Sequence, residues 1–261
     1  MARLESAQAS LAASAPTSVS SFPSAAVPVR HSLLVRVTHW ITTLCFLALL
    51  VTGAEILISH PRFYWGETGN VQTQPLFKLP IPSSRALVPS GYGYVLPDQN
   101  GWSRYLHFQS AWIVVLTGLL YVLSFFFTGH LRKNLLPAKP ERSFRAFATT
   151  CADHLRLKRP PAEEAWSYNL LQRLAYLFVI FVLFPLVIWT GLAMSPSFVS
   201  AFPFTVNVLG GQQSARTLHF FVSVALLLFF LVHVAMLFLA GFTSRMRAMI
   251  TGRPSAHMER P

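Results

Sequence analysis

Four histidines lie inside long apolar runs: His39, His107, His219 and His233. An ionisable imidazole within a membrane segment is costly, and it points to function. His219 and His233 share one run and are fourteen residues apart. On a helix that separation is about 21 Å along the axis, and fourteen steps of about 100° return both rings to one face. His39 stands near the start of the first apolar run and His107 near the start of the second. If successive runs alternate in direction, depth pairs His39 with His233 and His107 with His219. Two imidazoles facing each other across a bundle form a bis-histidine site of the kind that hosts cofactors in bundle cores. Axial imidazole is a standard ligand of haem iron. Zinc would ask for three or four nitrogen or sulfur ligands, and each level offers two histidines and no nearby acid. The other five histidines, His31, His60, His130, His154 and His257, fall in tails or loops and read as solvated surface.

Three of the four histidines sit in R-x-x-H: Arg36–His39, Arg104–His107 and Arg216–His219. Residues three apart share a helix face. In each case the arginine lies on the headgroup side, and an aromatic residue follows the histidine (Trp40, Phe108, Phe220). An arginine one turn toward water could pair with a haem propionate, although arginine is also a common boundary anchor. Gly53 falls fourteen residues after His39, and Gly118 eleven after His107. Each would bring a bare backbone to the histidine face, where a flat macrocycle could approach; small residues also serve plain helix packing. Gly191 reads as packing, and the third apolar run supplies no ligand and reads as closing the bundle.

The elements that must position these residues are four apolar segments, at about 36–58, 104–128, 170–194 and 216–242. Each is long enough to cross a hydrocarbon layer of about 30 Å. Only helices satisfy their own backbone there, so the fold class is all-α: an integral membrane four-helix bundle, with two haems expected between the helices from the paired histidines. Pro185 within the third segment predicts a kink or local adjustment. Residues 1–29, rich in Ala, Ser and Pro with no sustained apolar run, read as a disordered tail. The bundle domain is expected over 30–250, followed by a C-terminal tail at 251–261.

Of the 261 residues 53% are hydrophobic and 11% charged, with a net charge of +12. That composition excludes a disordered chain and argues against an ordinary soluble enzyme. Nucleic-acid binding, the usual first reading of a basic chain, loses ground because the cations flank the apolar runs. They concentrate in the N-terminal tail, the 129–167 connection and the C-terminal tail. Both termini are therefore expected in the cytoplasm of a bacterial inner membrane protein, with the 59–103 loop outside. That loop is rich in Pro, Gly and aromatics and could be a docking surface or a passive connection. Cys45 and Cys151 stand in unlike surroundings and are not expected to pair.

The R-x-x-H-W at 36–40, the R-x-x-H-F at 104–108 and the R-x-x-H-F…H spacing at 216–233 resemble the diheme membrane cytochrome b subunits of nickel hydrogenases, formate dehydrogenases and thiosulfate reductases. The likeness covers roughly residues 30–250. It implies that His39 and His233 hold one haem b, and that His107 and His219 hold the other. It also implies an electron-transfer subunit rather than a complete enzyme, one that anchors a catalytic partner and links it to the membrane quinone pool. A quinone would bind beside the cytoplasmic haem. The expected partner is an outer, periplasmic oxidoreductase of the molybdenum-cofactor class, by fold-level analogy. The competing reading is a transporter with a histidine proton relay, but Glu55 is the only acid in the spans. A third, a lipid- or partner-binding scaffold, leaves the four histidines without a role.

Overall fold

The computed structural model describes residues 31–81 except 71, 99–129, 170–253 except 240, and scattered positions between 131 and 152. The tail at 1–29, most of the 129–167 connection, His130, His154 and His257 lie outside the described residues. Four long helices carry the fold, and each is long and apolar enough to cross a membrane. They are α1 (Leu33–Ser59), α2 (Gln99–Thr128), α3 (Leu170–Ala193) and α6 (Gln212–Leu239). A two-residue antiparallel ladder pairs β1 (Arg62–Phe63) with β2 (Phe77–Lys78). Short helices α4 (Pro196–Ala201) and α5 (Phe204–Asn207) join α3 to α6, and α7 (Phe242–Thr251) follows α6.

The apolar residues run nearly all round these helices, so their side chains split between a thin interior and the lipid. Leu44, Val51, Leu116, Phe126, Leu228 and Val232 are exposed, as expected where hydrocarbon replaces water. The interior between the histidine levels is a small cluster of Val179, Leu183, Val222 and Leu226.

Pro185 is absorbed by a local change of winding. Residues Val179–Leu183 form a π turn, and a normal α-helix resumes at Phe184 with the proline in its first turn. A proline has no N–H to donate, and a wider turn just before it removes the clash with the preceding carbonyl. The fourth span starts and ends earlier than the sequence suggests. It ends at Leu239, and Gly241, at φ 94°, turns the chain into the separate helix α7.

The bundle consists of two helix pairs, α1 packed along α2 and α3 along α6. Side chains rather than backbones bridge one pair to the other. Among those bridges are His39 to His233, His107 to His219, Phe46 to Phe230 and Phe125 to Phe181. The histidines thus stand in the seam between the pairs.

Candidate functional site

At the end of the bundle that carries the β ladder, His107 on α2 and His219 on α6 face each other with ring centres 6.3 Å apart. Each ring is held by a threonine from another helix. Thr52 Oγ1 on α1 is 2.9 Å from His107 Nδ1, and Thr190 Oγ1 on α3 is 3.0 Å from His219 Nδ1. Both threonines are fully buried. The glycine beside each faces the ring. A Cβ at Gly53 would stand 3.7 Å from His107 Cε1, and one at Gly191 3.5 Å from His219 Cε1.

A polar cap closes this end. The first amides of α6 would be orphaned, as at any helix start. Here the Gly66 carbonyl accepts from the amides of Gln213 and Ser214, and Glu67 Oε2 accepts from that of Gln212. A carboxylate there also suits the helix dipole. Ser214 Oγ accepts from the Gly66 amide, and the Thr217 hydroxyl donates to the Tyr64 carbonyl. Arg216 donates to the His60 carbonyl and lies over the Phe63 ring, 5.0 Å from its centre. Phe63, only 2% exposed, stacks on Phe77 and packs against Phe220. His60, read from sequence as solvated surface, thus contributes its carbonyl to the cap. Arg104 is exposed at this end.

At the opposite end His39 on α1 and His233 on α6 face each other at 6.4 Å. The surroundings are aromatic: Trp40 lies edge-on to His39, Phe229 stacks on His233, and Tyr176 lies edge-on to it. Helix α7 folds back over the start of α1, where Arg36 donates to the Ile250 carbonyl and Trp40 Nε1 to that of Met249. Cations and donors suit the carbonyl end of a helix. Two polar atoms here, Arg36 Nε and His39 Nδ1, are buried with no partner. A Cβ built on Gly118 would meet nothing within 4 Å.

These residues suit a haem. Two imidazoles binding one metal atom from opposite sides, at metal–nitrogen distances of about 2 Å, place their ring centres roughly 6 Å apart. Both pairs have that spacing. Among the described residues no group of three or more His, Cys, Asp or Glu comes together around a bare metal ion. The unpartnered arginine and histidine atoms at the second level are what an anionic group would satisfy.

Thr52 and Thr190 escaped the sequence reading, as did the service α3 gives to His219. Their signal is a Thr-Gly repeated in the span interiors, at 52–53, 117–118 and 190–191, a pair that also occurs at 68–69, 128–129 and 251–252. Thr is unremarkable in a membrane helix because its hydroxyl can bond its own helix. Only the repetition could have singled it out.

No solved structure matches this chain. A protein of Azospira oryzae named as a protein-methionine-sulfoxide reductase subunit, YedZ1, is 32% identical over 227 residues, which cover 85% of this chain and 96% of that relative. A family model described as prokaryotic cytochrome b561 matches residues 30–252, the whole of the bundle. The chain belongs to that family of haem b membrane proteins and is a cytochrome b electron-transfer subunit.

Proposed function

We propose that this protein holds two haems b, one between His107 and His219 and one between His39 and His233, and carries electrons across the membrane through them. The observation that carries this reading is the pair of histidine bridges in one seam. Each is spaced for a single metal atom, and they stand fourteen residues apart on α6. Haem iron would supply one-electron chemistry, while the protein sets its potential by ligation, burial and hydrogen bonds. Val179, Leu183, Val222 and Leu226 fill the space between the levels with apolar side chains. That suits electron hops and interrupts any chain of proton carriers, which disfavours the relay reading.

Arg36, with its buried free Nε one turn from His39, is the arginine best placed for a propionate. Arg104 and Arg216 fill that role at the capped end, Arg216 through the N–H groups not given to His60. Gly118 leaves open space for the macrocycle, while Gly53 faces the His107 ring. The excess of cations in the tails and the 129–167 connection supports a capped end outside and both termini in the cytoplasm.

The quinone pool is the source of electrons in this reading. A quinol oxidised to quinone releases two electrons and two protons. The partner is an oxidoreductase on the outer face, of the molybdenum-cofactor class expected from the sequence. The name of the Azospira relative suggests that it reduces protein methionine sulfoxide. That reaction takes two electrons and two protons and releases water as the thioether forms, so the stoichiometries agree. The test is the haem content of protein purified from haem-replete cells. Two haems b per chain, reducible in membranes by a quinol, are expected; a colourless preparation overturns the reading.

A further inference from the structure

The two threonines that touch the histidine rings have no part in ligation, and their own hydrogen bonding restricts what they can do. A hydroxyl has one proton to give. Thr52 Oγ1 gives it to its own helix, at 2.7 Å from the Ala48 carbonyl, and Thr190 Oγ1 does the same at 2.8 Å from that of Leu186. Each hydroxyl can then only accept from the histidine beside it. The proton in the Thr–His contact therefore belongs to the ring nitrogen, Nδ1. A neutral imidazole carries one N–H, so both rings are left with a free lone pair on Nε2.

We propose that Thr52 and Thr190 are positioning residues that lock His107 and His219 as Nδ1–H tautomers, present Nε2 to the iron, and hold the capped-end haem at a more negative potential. This inference rests on the two-haem reading above. An acceptor on the far nitrogen makes a ligating imidazole more basic. A more basic ligand favours ferric over ferrous iron, which lowers the potential. The arrangement is symmetric: one hydroxyl comes from α1 and one from α3, each followed by a glycine that faces the ring. Helix α3, which supplies no ligand, thereby fixes one. The other level lacks this device at His39, whose Nδ1 is buried and without a partner.

The test is a redox titration followed by absorbance, on whole purified protein carrying both haems. The capped-end component is identified as the one lost in His107→Ala. Thr52→Val and Thr190→Val are each expected to move that component to a more positive potential and leave the other in place. The double variant should move it further. Thr52→Ser and Thr190→Ser keep the hydroxyl and should titrate like the unchanged protein. A valine variant that loses the haem, with serine restoring it, also supports the proposal, since supporting hydrogen bonds typically carry about 10- to 100-fold in metal affinity. Two haems with unmoved potentials in the valine variants overturn it. Equal effects of serine and valine also overturn it, because serine keeps the hydroxyl that valine lacks. None of these results touches the two-haem reading, which falls if the unchanged protein binds fewer than two haems.

Discussion

The two ends of the bundle use the same histidine pair in opposite settings. At the capped end both rings bond to buried hydroxyls, the helix start above them has its amides satisfied, and Arg216 is engaged by His60 and Phe63. At the other end the rings sit among Trp40, Tyr176 and Phe229, and two buried polar atoms have no partner, against one, Gln213 Oε1, at the capped end. Unsatisfied buried polar groups are costly, so the second end is built for something that completes it. The first is built to hold its rings still. The difference teaches that a ligand pair sets where a cofactor goes, and the hydrogen bonds behind it set how the two sites differ.

The largest effects come from the ligands themselves, and they break the comparison if it is wrong. His219→Ala should remove one of two haems and leave the component ligated by His39 and His233, whereas His233→Ala should do the reverse. Reduced-minus-oxidised spectra of the purified variants decide it. Loss of the same spectral component in both variants would mean that the two levels are not separate sites.

A smaller effect is expected at the cap. Gly211 has φ 114°, and a Cβ there would come within 2.5 Å of the Gly66 carbonyl group. Gly211→Ala combines a left-handed backbone, worth about 1–3 kcal/mol, with a backbone clash. Thermal loss of the capped-end haem signal should shift to lower temperature, while the other signal keeps its own midpoint. A common shift of both would show that the cap stabilises the bundle as a whole.

How much of this was legible in the sequence follows the same division. The four spans were plain because apolar length is a local property, and the histidine levels were plain because one helix carries two of them. Pro185 announced a local adjustment, which the π turn supplies, but the side of the proline that would yield depends on packing against α6. The end of α6 at Gly241 was missed because the apolar pattern runs through it to Phe242, and only the backbone angle shows the break. The threonines were hidden for a different reason. Thr52 and His107 are 55 positions apart, and nothing local tells a hydroxyl bonded to its own helix from one that also holds a ring. The cap was illegible because each of its bonds between the 60–67 segment and α6 has a backbone atom on at least one side, which any residue could supply.

A further step down in size is Arg36→Gln. The substitution keeps a donor for the Ile250 carbonyl and removes the charge near His39. If a propionate pairs with Arg36, the His39/His233 component should titrate at a lower potential, by an amount corresponding to about 1 kcal/mol, since a charge-assisted hydrogen bond is lost. The capped-end component should not move. An unmoved titration would leave Arg36 as a clamp for α7 alone.

The smallest effect separates two glycines that look alike in the sequence. Gly53 faces a ring, and a Cβ there would reach ordinary contact with His107, whereas a Cβ at Gly118 would enter open space. Gly53→Ala should therefore be tolerated, and Gly53→Leu should push His107 off its threonine and alter the capped-end spectrum. At Gly118 the alanine variant should leave both spectra unchanged and gain a few tenths of a kcal/mol or more in helix propensity. Gly118→Leu is the informative change. If the open space is where a macrocycle lies, the leucine displaces it and only the His39/His233 spectrum is altered. A silent leucine would show that Gly118 borders lipid and has no part in the site. The equivalence of the two glycines would then end at the backbone, with Gly53 alone shaped by a cofactor.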